Sequence, residues 1–536
     1  MITRGRHGVG GTLFAAALGS MLVFCGCKVG PNYVEPSAPI AEEWLNPHGT
    51  ELARGEEVAT RWWEVLGDPT LNELVETAYR QNPTLHAAGV RVLEAQARRA
   101  VAFGLLFPQQ QQAFGDLTWN QASENAGTVT TERNRAQNIV GVATNPIGAI
   151  ANGVVGEPGL DNTYHNWTAG LGASWELDVW GRYRRGIEAA DAQILATVAS
   201  YDDVLVSLVA EVATNYVFLR TLEEQLAVVR SNVAIQQRGF DLADTKFKGG
   251  TTTGLDPAQA ASLLHDTEAQ VFELEARIAQ TRSALCVLLG LPPRELSELL
   301  GETRPIPGAP ERLAVGIPAE LLRRRPDVRR VERTLAAQSA VIGVAAAELY
   351  PSFSLSGDLG LAAEHFSDLW RGDSVQAFVG PSFRWSILNY GRIENNIRVQ
   401  DAAFQALISE YESVVLRAQG EVESAIAGFL GARWQVLSLT RSVDAATRAV
   451  DLAEQQYRGG ITDYTRVLNT QDFLTTEQSR LVATRGAVAL NLIAIYRALG
   501  GGWELREGQD LVPPSIKDEM QRRTGWGDMI NADRIP

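Results

Sequence analysis

The chain has 536 residues, 45% of them apolar, and a formal charge of −15. That acidity argues against nucleic acid as a partner. Of three cysteines, two fall in the first 27 residues, so no intrachain disulfide framework is available and stability must come from packing or assembly.

Arg4 and Arg6 precede a short apolar run from Val9 to Phe24, the form of an export signal over residues 1–26. The run is too short to span a membrane as a helix. Phe24-Cys25-Gly26-Cys27 then resembles a bacterial lipoprotein processing site, making Cys27 the first mature residue and the carrier of a covalent lipid. Cys25 is the poorer candidate, because bulky Phe24 would sit directly before the cut. Residues 27–60 are Pro- and Glu-rich, with little periodicity, and suit an extended strap. From Thr70 to about Leu106 the pattern is helical, interrupted at Asn82-Pro83.

Two stretches with period two come next. Residues 113–120 set Ala113, Gly115, Leu117 and Trp119 against Asp116, Thr118 and Asn120, with Phe114 on the polar side. Residues 167–175 set Trp167, Ala169, Leu171, Ala173 and Trp175 against Thr168, Gly170, Gly172 and Ser174. Between them, residues 120–165 are rich in Asn, Gly, Thr and Ala, and read as an enlarged loop that is either a partial cap or functionless.

After Gly181-Arg182, apolar residues from Ile187 through Tyr201, Val212 and Leu222 to Val233 step by threes and fours. Their mean spacing is about 3.5 residues, the period of a coiled-coil seam. From Arg182 to Lys246 such a rod would be roughly 95 Å long at 1.5 Å per residue. It stops at Gly249-Gly250. A return helix is predicted from Asp256 as N-cap and Pro257 as first helical residue, running to Leu289-Gly290 before Pro292-Pro293 breaks it. Cys286 on that helix reads as a small buried hydrophobe.

The plan then recurs. Trp175 to Arg182 reappears as Trp385 to Arg392, an offset of 385 − 175 = 210; Phe247-Lys-Gly-Gly250 matches Tyr457-Arg-Gly-Gly460 at the same offset. Pro83 and Pro108 pair with Pro326 and Pro351 at 243, so the first copy carries 243 − 210 = 33 extra residues between Pro108 and Trp175. The repeats are residues 61–300 and 301–503, with 504–536 a polar tail. The second copy has its own alternating stretches. Phe353, Leu355, Gly357 and Leu359 oppose Ser352, Ser354, Ser356 and Asp358, and Ala377, Val379, Pro381, Phe383 and Trp385 oppose Phe378, Gly380, Ser382 and Arg384.

About ten residues, one apolar face, one small or polar face and Trp at the ends form the signature of outer-membrane strands. A half-buried strand of a soluble sheet alternates identically. No stretch after the signal is long and apolar enough for a membrane helix, so a membrane crossing would be a β-barrel. Four strands cannot close one, and open edges in lipid are costly. Two chains would fill their own interior; three, with twelve strands, leave a lumen. The rods should then wrap into a second, helical tube coaxial with the first. The fold class is mainly α, with a transmembrane β-barrel completed by a trimer.

These motifs resemble the outer-membrane factors of tripartite efflux pumps, the TolC-like channels, and within them the NodT-type lipoproteins serving RND multidrug exporters. The carrying residues are Cys27-Lys-Val-Gly-Pro-Asn-Tyr33, Trp62-Trp63 with Asp68-Pro69, Trp175 to Arg182, Val315 to Asp327, Tyr457-Arg-Gly-Gly460 and Ala498 to Trp503. The resemblance implies a homotrimer in the outer membrane lipid, a helical barrel in the periplasm, and docking to a periplasmic adaptor and an inner-membrane RND pump. It implies no catalysis and no cofactor beyond the lipid on Cys27.

It also implies that the turns Lys246–Asp256 and Tyr457–Asn469 close the bore. Gly249, Gly250, Gly459 and Gly460 suit reversing helix ends, and Lys248 and Arg458 beside them are expected to meet the adaptor. The two positions usually Asp in the family are Arg466 and Asn469 here. Arg466 is either a latch to Asp256 or Asp463 of an adjacent helix, with Tyr457 packing the constriction, or a solvated charge.

An enzyme reading fails on inventory: the six histidines are scattered, without metal-ligand or HExxH spacing, and Asp266 and Glu268 near His265 read as solvated charge. Type I protein secretion and heavy-metal export remain alternatives within the channel class, though four methionines offer no soft-metal ladder. A structural trimeric coiled-coil lipoprotein would explain the rods but not the paired strands.

Overall fold

A computed structural model describes residues 28–41, 52–54, 60–121, 163–310, 313–315 and 323–531. The signal segment, Cys27, most of the 120–165 loop and part of the Val315–Asp327 stretch lie outside the described residues. The described residues form two compact units, one from those within 1–35, 95–194 and 333–408 and one from those within 36–94, 195–332 and 409–536, each drawing on both copies.

In chain order the elements are β1 (Leu52–Arg54), α1 (Pro69–Gln81), α2 (Pro83–Gly104), β2 (Gln110–Gln121), β3 (Thr163–Leu177), α3 (Arg182–Lys248) and α4 (Leu255–Leu288). The second copy gives β4 (Leu313–Val315), α5 (Pro326–Ala347), β5 (Ser352–Ala363), β6 (Val375–Arg384), α6 (Arg392–Arg458) and α7 (Tyr464–Ala498), and α8 (Pro514–Thr524) follows. Equivalent helices match in length: α2 and α5 have 22 residues each, α3 and α6 have 67 each, and α4 and α7 have 34 and 35. The offset of 210 holds at both ends of the long helices (392 − 182 and 458 − 248).

The first unit holds an antiparallel four-stranded sheet in the order β2-β3-β5-β6, so the two copies meet at β3 and β5. There Thr168 lies opposite Ala362 and Ser174 opposite Ser356, and the two serine hydroxyls are 3.2 Å apart. A one-residue slip would turn every side chain over; this register keeps like with like. Its outcome is the reverse of a soluble sheet. Leu171, Leu359 and Val379 on the apolar face are 63%, 57% and 77% exposed, while Asn166, Thr168 and Asp358 on the polar face are 3%, 5% and 6% exposed. Among the described residues β2 and β6 each pair on one side, so both sheet edges carry backbone groups with no strand beside them. Tryptophans tie the strand ends to the preceding helix ends in both copies. Trp175 Nε1 donates to Leu106 O at 3.0 Å, and Trp385 Nε1 donates to Leu349 O at 2.9 Å.

The second unit is a helical layer. Trp62 stacks on Tyr496 with ring centroids 5.4 Å apart and donates to Gly501 O, and Trp63, Leu71 and Leu74 are buried beside them. Each such side chain contributes about 1.5–3 kcal/mol by leaving water. The 3.5-residue seam of α3 is realised: Val198, Tyr201, Leu205, Val212, Tyr216, Leu219 and Leu222 are all buried. Two buried arginines among them are paired, as burial demands, while Trp63 Nε1 has no partner among the described residues. Arg220 bonds Glu223, Tyr216 and Leu300 O, and Arg325 bonds Asp327, Glu421 and Ala498 O. Cys286 is fully buried, as its sequence setting predicts.

Two expectations are corrected. First, α4 begins at Leu255 with Gly254 as its N-cap, so Asp256 lies inside the first turn and is free to bond elsewhere. Second, α3 and α7 each contain a stretch long and apolar enough to cross a membrane, with 50% and 56% of that stretch buried inside the protein. The apolar seam of a packed rod satisfies the same length and composition requirement. Within the polar tail, Val512 and Met520 pack on Leu93, and Gly89 lets the Leu511 carbonyl come close, where a Cβ would collide.

Candidate functional site

The two glycine turns have the same construction. Thr251 N–H reaches Lys246 O and Gly250 N–H reaches Phe247 O, both at 2.9 Å; Ile461 N–H reaches Gln456 O at 2.9 Å and Gly460 N–H reaches Tyr457 O at 3.1 Å. These are Schellman closures, which need a left-handed residue, and Gly250 and Gly460 supply φ of 71° and 74°. Gly249 and Gly459 precede them in regular backbone, each donating to the carbonyl four residues back.

The turns are tied to one another. Tyr457 OH donates to Asp256 Oδ2 at 2.9 Å, and Thr252 Oγ1 donates to the same oxygen. Lys246 Nζ donates to Tyr457 O and sits 4.5 Å from the centre of the Tyr457 ring. Tyr457 meets Tyr464 edge-on at 5.2 Å, inside a buried cluster with Ala243, Ala260, Ala453 and Val467. Burial first, and then the hydrogen bond to the Asp256 carboxylate, push the Tyr457 phenol well above its ordinary value of 10. Burial and the charges of Glu454 and Asp256 push Tyr464 up to about 12. Both phenols therefore remain protonated donors throughout the neutral range.

The other sequence candidates lie on the surface of this knot. Asp463 caps α7, its Oδ1 accepting from Arg466 N at 3.2 Å. The Arg466 and Asn469 side chains are exposed, and Arg466 makes no ion pair among the described residues. Lys248 and Arg458 point to solvent while pairing with Asp244 at 2.6 Å and Glu454 at 3.3 Å on their own helices. Asp256 and Tyr457 are thus brought together, whereas Asp463, Arg466 and Asn469 are not joined to them. Sequence reasoning missed Thr252, Tyr464 and the Lys246 ammonium. Thr252 recurs at the repeat offset as Thr462, a signal that was there to be read, whereas Lys246 and Tyr464 fall opposite Gln456 and Gly254, so the repeat is silent about them. His265 pairs with Glu268 at 2.8 Å on an exposed helix face, in keeping with solvated charge.

A second constellation seats the strap. Arg185 is 1% exposed, and its guanidinium donates to Val29 O, Gly30 O and Asn32 Oδ1, each at 3.0 Å, and to Glu188. Lys28 pairs with the same glutamate, and Val29 N–H donates to Trp180 O. A Cβ on Gly30 would collide with Gly343, so the chain directly after Cys27 lies in a fitted groove. The Gly-Arg motif contributes Gly181, whose φ of 78° turns the chain into α3 against Lys28.

Comparison with known proteins agrees with this geometry. The pattern of the family described as "Outer membrane efflux protein" matches residues 74–291 and 317–501, one stretch in each copy. The chain is 30% identical over 444 residues to the pyoverdine export outer membrane protein OpmQ of Pseudomonas putida, covering 83% of this chain and 88% of that one. It is 28% identical over 484 residues to nodulation protein T of Rhizobium leguminosarum bv. trifolii, covering 90% and 96%. The solved outer-membrane channel OprN superposes with a TM-score of 0.78 at 31% identity, covering 89% of this chain and all of that one.

Proposed function

The chain belongs to the outer membrane efflux protein family and acts as an outer-membrane efflux channel of the RND type; on that premise we propose how it is assembled and gated. Three copies pair β6 of one with β2 of the next, closing a twelve-stranded barrel whose small polar face surrounds an aqueous bore. The observation that carries this is the inverted sheet with two unpaired edges, since neither feature is stable in one protomer and both are satisfied by closure in lipid. Cys27 carries the lipid, and Arg185 holds the strap that follows it.

The subunit catalyses nothing: small molecules such as drugs pass down their gradient once an adaptor and an inner-membrane pump have loaded the bore. The glycine turns form the periplasmic tip. Within each protomer the Tyr457–Asp256 bond holds the two copies together at that tip, and between protomers the exposed Arg466 reaches an acidic group of the adjacent chain, with Asp463 at hand. Lys248 and Arg458 face the adaptor. A coiled-coil lipoprotein of purely structural role would have no use for the sheet.

Purified protein in planar bilayers tests the reading. A homotrimer with a low resting conductance, raised when Arg466 is replaced by Ala, is the expected outcome. A monomer without conductance would remove the channel, and an unchanged resting conductance would remove Arg466 from the gate.

A further inference from the structure

The polar face of the sheet holds one buried carboxylate without a counter-group among the described residues, Asp116 on the same face being exposed. Asp358 is 6% exposed, and among the described residues no donor or cation reaches it. β5 places it opposite Gly172 of β3 and Phe378 of β6. A Cβ on Gly172 would lie 2.6 Å from Asp358 Oδ1, so glycine at that point leaves the carboxylate its seat. Beside it is a pocket of about 60 Å³, lined by Gln110, Gln112, Gly172, Ser174, Ser356 and Asp358. That space holds one or two water-sized occupants.

An isolated buried carboxylate is unfavourable unless a proton or a cation neutralises it. The lining supplies hard oxygen donors: the carboxylate, two serine hydroxyls and two amide carbonyls. It supplies a single negative charge, which matches a monovalent ion better than a divalent one. An alkali ion can be ligated by these oxygens and a primary ammonium can donate its N–H groups to them, whereas a quaternary ammonium has no N–H to give.

We propose that Asp358, with Ser174, Ser356 and the two glutamines, forms a binding site for a small monovalent cation, either an alkali ion or the primary ammonium end of a transported molecule. The site is complete within one protomer's sheet. It rests on the channel reading only in that this face lines the bore, and binding itself needs no transport.

The test uses the purified full-length protein and its Asp358→Asn variant, which keeps size and polarity while removing the charge. Crystals soaked in rubidium chloride should show an anomalous peak at coordination distance from Asp358 and the serine oxygens, absent in the variant. Melting is followed in parallel in sodium, methylammonium and tetramethylammonium chloride at equal ionic strength. Wild type should melt a few degrees higher in at least one of the first two salts than in the third, and the variant equally in all three. Stabilisation by sodium alone assigns an inorganic ion, and by methylammonium an ammonium head. Gly172→Ala, which fills the seat, should behave as Asp358→Asn does. No peak with equal melting of wild type in all three salts, or a peak that persists in Asp358→Asn, would overturn the site. Conductance of the variant in bilayers would meanwhile report on the channel reading separately.

Discussion

Replacing Tyr457 with Phe removes one oxygen and leaves the ring. Its edge contact with Tyr464 and its place beneath the Lys246 ammonium persist, so packing is conserved. What is lost is the 2.9 Å bond from the phenol to Asp256. A hydrogen bond to a charged acceptor contributes about 1.5–3 kcal/mol. Asp256 is half-buried and keeps its bond from Thr252, so the low end of that range applies. About 1.5 kcal/mol is roughly a tenfold shift per protomer toward a parted tip. If three protomers part together the shift approaches a thousandfold, on the order of 4–5 kcal/mol. Single-channel recording should therefore show a marked rise in open probability for Tyr457→Phe, matched by Asp256→Asn, with no additive effect in the double variant. The sign with pH follows from the raised phenol: its contribution is complete below pH 10 and is lost as pH rises through the higher folded value. Opening in the range from pH 6 to 9 should thus not depend on Tyr457 ionisation. Wild-type gating in Tyr457→Phe, or full additivity with Asp256→Asn, would refute the latch.

Three further outcomes are expected. Leu171→Arg on the exposed apolar face should block membrane assembly, since a cation at mid-depth of a lipid-facing strand costs about 2–4 kcal/mol; its neighbour variant Thr168→Arg should assemble and change conductance instead, and equal assembly of both would contradict the inverted sheet. Arg185→Met should free the strap, because breaking a buried charge network costs about 3–5 kcal/mol; limited proteolysis between residues 28 and 41 reads this directly, and unaltered protection would count against it. Burial raises the Asp327 carboxyl, but the Arg325 guanidinium and the Val328 N–H lower it further, below its ordinary 3.8. Its stabilisation is complete above that value and lost as pH falls through the lower folded one, so Asp327→Asn should flatten the acid limb of a melting curve below about pH 4, and an acid limb parallel to wild type would argue otherwise.

The alternating stretches, the seam of α3 and the two-copy plan were all legible in the residues, because each follows from the stereochemistry of a single segment. A strand turns its side chains over every two residues and a rod every three and a half, so Leu171 and Thr168, or Leu205 and Val212, declare their faces without reference to anything distant. The turns were legible for the same reason: Gly250 and Gly460 mark left-handed backbone wherever they fall. The direction of the sheet was not. Alternation alone fits either a wet or a greasy outer face, and the folded sheet, with Leu171, Leu359 and Val379 exposed and Thr168 and Asp358 covered, placed the apolar row outside.

The site was legible in part. Asp256 and Tyr457 were both singled out from sequence, but their bond joins residues 201 positions apart, and nothing in either local pattern says that they meet. Asp256 read as a helix cap because Asp-Pro commonly starts a helix; the helix instead starts two residues earlier and releases that carboxylate to the neighbouring turn. Arg185 and Asp358 carry no motif at all. One became a clamp and the other an isolated charge through which strands and helices lie beside them. Periodicity is a property the chain carries along itself, whereas these contacts exist only after long elements have been laid side by side, where a displacement of one helical turn would pair different residues.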